Sequence, residues 1–523
     1  MRDSPHMRYR TLLPLLLLVV GAWLRFVSLD QYPLGVHQNE LSNIYDGYSI
    51  AETGADRFGS YHPAVLRAFG DDDYRPAMYA WLAAVPIKLF GFSVKAGRLP
   101  AAILGTASLV FLYLFATNLG GSEFGLLALL LGVLSPLHIQ YSRVAHEGAI
   151  LPGFFVIVIL YLWERASARQ FPLSILALLG LVVGLSANAY QSTKLTSVLF
   201  AAGIALWIAH YRKPALPGLI AFAVFAVIGA APQILVLATD PEHFSSRARV
   251  LAIKEENPVI FALTVLRNYG QNLAPHYLFV PRTYSALTVA RLLPPEILFF
   301  YAGLVGLALL PSKGSPHAHL RIYFAAAVAI LPSAITFGAP HTLRTSGMTV
   351  LTPLFSAAGI VWLYTLIPAW PHFKRFYYPL VVIVLVGSSA AMIYRYSRSV
   401  MFREAYYQNF LIHLDTAVGR HAPSYDAVIL EDYGSERNVY VAAFSGMKPR
   451  EFQRAPKRLW SDGMDHFTRL GKYYFVRKAR MQESADSLAR RGKILIVATS
   501  PLRGLRVIDS VQWQKEKSYF MAR

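Results

Sequence analysis

No cysteine occurs among the 523 residues, so neither disulfides nor thiolate-ligated zinc or iron–sulfur centres support fold or function. Charge is scarce as well: Asp, Glu, Lys and Arg make up 15% of the chain, against 55% hydrophobic residues and a mean hydropathy of +0.39. That balance excludes a soluble chain and marks a polytopic membrane protein. Acids are the rarer sign, 30 against 50 Lys and Arg, and from Arg395 to Arg523 the ratio is 13 to 23, so half of the net +20 lies in the last quarter. Such a tail favours anionic lipid head groups. It has no glycine-rich nucleotide loop and no recognition fold with interleaved aromatic and basic residues, which disfavours a nucleic-acid partner. No internal repeat is visible, which weakens a transporter reading.

What is there is a series of apolar runs. Arg2, Arg8 and Arg10 precede the first, Thr11 to Val27, which has no small-residue cleavage site and reads as a retained anchor with a cytoplasmic amino end. Ten more follow: Leu99 to Thr117, Phe124 to Ile139, Ala149 to Trp163, Leu173 to Ala187, Leu195 to His210, Leu216 to Leu237, Pro295 to Leu310, Ile322 to Phe337, Met348 to Ile367 and Tyr378 to Tyr394. The expectation is a mainly α bundle of about eleven spans over 1–395, with a large first outer loop at 30–98. Met78 to Phe90 is short and carries Pro86 and Lys88, so it reads as interfacial or re-entrant. Charge parity supports this, since only then do Arg165, Arg169, Arg212, Lys213, Lys313, Arg321, Lys374 and Arg375 share the amino terminus's side. The same parity places 396–523 outside the membrane. Its helical and strand-like patterns, with strands at Ala427 to Leu430, Lys472 to Val476, Ile494 to Ala498, Leu505 to Val511 and Ser518 to Met521, predict a small extracytoplasmic α/β domain.

The unusual polar clusters fall on that outer face. The first is His37-Gln38-Asn39-Glu40, with Asp46 six residues on. A carboxylate at a membrane surface can accept a proton from an acceptor hydroxyl or amine, and it can equally cap or salt-bridge a surface helix. Next comes Asp71-Asp72-Asp73-Tyr74-Arg75-Pro76. Three aspartates in a row are more often a solvated turn than a divalent-metal site. Arg75 at the interface can grip a lipid-linked phosphate or simply snorkel. Arg143, His146 and Glu147 form a further cluster, in which the four-residue spacing puts Arg143 and Glu147 on one helix face. Asn188 to Lys194 and His341 to Arg344 complete the set. Acids and bases recurring in several loops on one side point to a shared cleft for an anionic lipid donor.

The order of these motifs, with Arg98-Leu99-Pro100 opening the next span, resembles the GT-C glycosyltransferases of family 39, the group of the protein O-mannosyltransferases and the lipid A aminoarabinose transferase. The resemblance covers roughly Leu24 to Arg395 and is densest from Val36 to Glu147. It implies a multi-pass protein of the inner membrane, with its active site and C-terminal domain extracytoplasmic. It implies transfer of a sugar from a polyprenyl-phosphate donor, among membrane lipids, to a lipid, glycan or protein acceptor. The family's first loop reads Asp-Glu with a catalytic aspartate, where this chain has Asn39-Glu40. An amide cannot act as base, so either Glu40 or Glu147 takes that role or the protein is an inactive scaffold. The resemblance assigns donor-phosphate binding to Arg75, and with it Lys194, His341 and Arg344. His37, Asp46, Tyr74, Arg143 and His146 fall to the acceptor or cleft. No soluble cofactor is required, and a divalent metal stays open through Asp71, Asp72 and Asp73. The rival from another class is a lipid-glycan transporter or flippase.

Overall fold

The apolar runs become helices. The computed structural model describes residues 5–522 except 71–72, 213–214, 281–289, 316, 368–370, 399–408, 433, 435–436, 462–464, 491 and 514–515. Each expected span holds a helix: Pro5–Phe26, Val94–Gly120, Ser122–Leu134, Ile150–Ala168, Leu173–Ser186, Gln191–Tyr211, Leu216–Thr239, Glu296–Leu309, Ala318–Ala334, Thr352–Leu366 and Pro371–Arg398. Six helical stretches among the described residues are long and apolar enough to cross a membrane, and five of the remaining spans are shorter apolar helices. The fold is therefore a mainly α, multi-span bundle with a β-sheet domain at its C-terminal end.

By its internal contacts the chain divides into two units, residues 1–29 with 99–399, and residues 30–98 with 400–523. The stretch read from sequence as the first outer loop thus groups with the C-terminal region and not with the spans.

The helical unit is held by close helix pairs. A Cβ placed on Gly303 would lie 1.7 Å from the Phe355 carbonyl oxygen, and one on Gly359 would lie 1.8 Å from that of Phe299. Only glycine permits this approach, which replaces hydrophobic driving force with backbone contact where lipid is the solvent. Leu173–Ser186 and Leu216–Thr239 meet in the same way through Gly180, Gly184 and Gly229. Between the spans, the stretch read from sequence as an outer loop at 238–294 is largely helical, with helices Pro241–Leu251, Pro258–Asn272 and Pro275–Phe279. Asp240 and Asn257 cap the first two, each followed by proline at the start of the helix.

In the second unit, helix Gln38–Thr53 packs on helix Met78–Phe90, whose 13 residues are too few to span. Gly47 allows the contact, since a Cβ there would sit 2.9 Å from the Ala80 carbonyl. The outer side of Met78–Phe90 leaves Trp81, Val85, Leu89 and Phe90 exposed, as an interfacial helix requires. Strands β1 (Val65–Arg67) and β2 (Tyr74–Pro76) form a small antiparallel hairpin. The C-terminal region builds a seven-stranded sheet from β3 (Ala427–Glu431), β4 (Lys457–Ser461), β5 (Asp465–Leu470), β6 (Tyr473–Val476), β7 (Ile494–Ala498), β8 (Arg506–Trp513) and β9 (Glu516–Ala522), in the order β4-β5-β6-β3-β7-β9-β8. Its centre is parallel, β3 lying between β6 and β7, and the remaining pairs are antiparallel.

Candidate active site

The polar tetrad starts the helix Gln38–Thr53. His37 has extended backbone and its ring nitrogen Nδ1 accepts from the Asn39 amide at 3.2 Å, an N-cap in place of the usual Ser, Thr, Asp or Asn. Glu40 is 1% exposed. Both its oxygens accept from Arg98, Oε1 from Nε at 2.7 Å and Oε2 from Nη2 at 3.0 Å. The same guanidinium donates to the carbonyls of Pro33 at 3.0 Å and Gly35 at 2.7 Å. A carboxylate gripped by a buried bidentate arginine is a structural anchor, because protonating it would leave Arg98 as an uncompensated buried charge. The geometry therefore speaks against Glu40 as the base.

Asp46 and Arg75 are tied in similarly. Asp46 pairs with Arg57 at 2.5 Å and accepts the Arg57 amide at 3.2 Å, with Arg75 at 3.9 Å. Burial pushes the Asp46 carboxyl up to about 6, against the pull of Arg57. Arg75, on β2, donates to the Asn39 carbonyl at 3.2 Å and to the Ser42 hydroxyl. It is 4% exposed, so it braces the tetrad's backbone where the sequence suggested an open phosphate grip. Tyr74 shares β2 and is half-buried. Asp71 and Asp72 lie outside the described residues, and Asp73 closes the β1–β2 turn with its carbonyl accepting from Ala68. Among the described residues no three His, Cys, Asp or Glu side chains gather as a metal site.

In the helical unit Glu147, His146, His341 and Arg344 are linked one to the next, and Arg143 and Lys194 have partners elsewhere. Helix Pro136–Tyr141 ends before Arg143, so the four-residue spacing to Glu147 does not place the two on one helix face. Arg143 instead closes the end of the first helix, donating to the carbonyls of Leu24 at 2.7 Å, Val27 at 2.7 Å and Ser28 at 3.0 Å. His146 and Glu147 are both buried, His146 Nδ1 lying 3.4 Å from Glu147 Oε2 and accepting from the Gly148 amide at 3.1 Å. His146 Nε2 is buried with no partner among the described residues.

His341 lies in the charge field of Arg344, His146, Arg291 and Arg247. Burial first, and then those groups in that order, push its imidazole down to about 3. Its amide donates to the Ser333 hydroxyl at 3.0 Å, and its Nδ1 is buried without a partner among the described residues. Arg344 donates to the Thr336 hydroxyl at 2.8 Å and the Phe337 carbonyl at 2.5 Å, and burial lowers its affinity for its proton. Arg291 donates to the Thr342 hydroxyl at 2.5 Å and to the Tyr277 carbonyl, lying 3.4 Å over the Tyr277 ring. Lys194 donates to the Phe244 carbonyl at 2.8 Å and sits 4.1 Å over the Phe244 ring. Arg291, Arg344 and Lys194 thus spend their donors on neutral oxygens. Two clefts flank this segment. One of about 360 Å³ runs from Arg344 and Thr193 to an apolar wall of Phe155, Val156, Ile159 and Phe200. The other, of about 400 Å³, is lined by Tyr277, Arg291, Thr345 and Thr349.

Arg98, Arg247 and Arg291 were not singled out as site residues from sequence. The Asp240-Pro241 helix start was the available signal for Arg247.

The sequence model of the family described as dolichyl-phosphate-mannose-protein mannosyltransferase matches residues 74–235. No curated protein matches the chain significantly. Among solved structures, the chain is similar to ArnT from Cupriavidus metallidurans bound to undecaprenyl phosphate, at 12% identity over 97% of both chains with a TM-score of 0.53. The apo form of that protein matches at 14% identity over 99% of this chain and 98% of that one, with a TM-score of 0.51. The archaeal oligosaccharyltransferase AglB from Archaeoglobus fulgidus, in complex with an inhibitory peptide and a dolichol-phosphate, matches at 11% identity over 94% of this chain and 70% of that one, with a TM-score of 0.50. At these identities the likeness is one of fold.

Proposed function

Because this chain has the fold of the GT-C glycosyltransferases, we propose that it is an integral-membrane glycosyltransferase of the inner membrane, moving a sugar from a polyprenyl-phosphate donor to an extracytoplasmic lipid, glycan or protein. The observation that carries this reading is the gathering of Arg247, Arg291 and Arg344 around His341, beside a cleft with an apolar wall. Arg291 is buried and Arg344 half-buried, and among the described residues the donors of both go to carbonyls and hydroxyls, which leaves the pair poised for an anion. The apolar wall suits a prenyl chain.

In the proposed reaction an acceptor hydroxyl or amine attacks the anomeric carbon while the bond from that carbon to the phosphate oxygen breaks. The electron pair leaves with the phosphate, whose growing charge Arg291, Arg344 and Arg247 neutralise. Glu147, buried beside His146, takes the acceptor's proton. Direct displacement inverts the anomeric centre. Glu40, held by Arg98, exchanges no proton in this scheme. No step needs a metal.

The test is transfer from labelled undecaprenyl-phosphate sugars by the full chain in liposomes. The expected result is turnover that Glu147→Gln reduces by about 10²- to 10⁴-fold. Lipid movement without sugar transfer would replace this reading with a transporter.

A further inference from the structure

The seven-stranded domain grips the segment that carries the tetrad. Tyr440, buried in helix Arg437–Phe444, donates its hydroxyl to the Val36 carbonyl at 2.6 Å. Val36 is itself buried and immediately precedes the N-cap His37, so its carbonyl has no place in the helix's own bonding. Further bonds run along the helix that follows. Tyr45 donates to the Met447 carbonyl at 3.0 Å, and the Gln453 amide reaches the hydroxyls of Ser49 at 3.0 Å and Thr53 at 2.9 Å and the Asp56 carbonyl at 2.9 Å. Asp465, on β5, takes Arg67 of the hairpin in two bonds of 2.9 and 2.6 Å.

From within the loop, Arg98 holds the carbonyls of Pro33 and Gly35 and the Glu40 carboxylate, and Arg75 holds the Asn39 carbonyl. From 33 to 40 the backbone is therefore held at Pro33, Gly35, Val36 and Asn39, and the Glu40 side chain is held as well. The Asn39 carboxamide is half-buried and has no hydrogen bond among the described residues.

We propose that Tyr440 is a positioning residue: by fixing Val36 it sets the place at which the Asn39 carboxamide is presented to an acceptor. This rests on the glycosyltransferase reading above. A phenylalanine would fill the same space against Phe444, so packing alone does not call for the hydroxyl. A displacement of about 1 Å in such a group costs on the order of 10²-fold in rate.

The experiment compares the full chain with Tyr440→Phe and, as a control on β9, Tyr519→Phe. Turnover is measured with a panel of undecaprenyl-phosphate hexoses and pentoses, alongside amide hydrogen exchange. Tyr440→Phe is expected to lower kcat about 10- to 100-fold with the donor KM unchanged, and to speed exchange at 36–41 while β3, β6 and β7 keep their protection. Tyr519→Phe is expected to match the wild type. Wild-type kcat and exchange in Tyr440→Phe would overturn the proposal, as would protection lost equally across the sheet. A wild type that transfers no sugar would sink the glycosyltransferase reading. The exchange at 36–41 would still decide whether Tyr440 holds the loop.

Discussion

The surroundings of the tetrad and of His341 treat charge differently, although the helical unit has a buried ion pair of its own, Glu164 with Arg321. In the unit of 30–98 and 400–523, buried carboxylates meet arginines: Glu40 with Arg98, Asp46 with Arg57, Asp465 with Arg67 and Asp415 with Arg437. In the helical unit, Arg291 and Arg344 near His341, and Lys194 beside Phe244, turn their donors to carbonyls and hydroxyls. Paired ions hold a shape, whereas cations whose donors go to carbonyls and hydroxyls invite a ligand of the opposite sign. The acidic tetrad was the more conspicuous motif in the sequence, and its carboxylate proves to be framework.

The contrast can be broken at several points. Arg98→Ala should have the largest effect, because it strands Glu40 as a buried charge and frees the carbonyls of Pro33 and Gly35. A loss of about 3–5 kcal/mol is expected, read as reduced accumulation and a lower Tm. Glu147→Gln should leave Tm unchanged while nearly abolishing transfer. A fall in Tm with activity retained would move Glu147 to the framework side.

The third prediction concerns pH. The folded Asp46 carboxyl sits near 6, above its ordinary value of 3.8, so the folded state binds the proton more readily than the unfolded chain. Its contribution to stability is therefore full below about pH 4 and is lost as pH rises through 6. Asp415, raised to about 7 by burial against the pull of Arg437, acts with the same sign. Thermal unfolding of the helix Gln38–Thr53, followed by hydrogen exchange from pH 4 to 7, should show this decline, and Asp46→Asn should flatten its lower part. The smallest effect is at His341. With its imidazole held near 3 it stays neutral across pH 5.5 to 8, so His341→Gln should bind undecaprenyl phosphate within about threefold of wild type, with a superimposable pH profile.

The bundle was legible because span length is a crude signal: about 20 apolar residues read as a helix whatever surrounds them. The hairpin was not, since β1 and β2 are three residues each and show no alternation long enough to register. Strand β4, Lys457-Arg458-Leu459-Trp460-Ser461, was missed for a related reason, as an exposed edge strand with no apolar face to read. At the site, residue types were legible and partners were not. Glu40 and Arg98 lie 58 positions apart, and only the fold shows that one consumes the other. Arg247 and Arg291 were hidden because they sit among short helices in a stretch read as loop.

The central claim is that the cations around His341 hold the donor's phosphate. Binding of undecaprenyl phosphate to the full chain in detergent, wild type against Arg291→Ala with Arg344→Ala, tests it most directly, with the exposed Arg503→Ala as control. The account predicts a loss of about 100-fold or more in the double variant, with its helix content retained and the control's affinity unchanged. Equal affinity in all three proteins would contradict it.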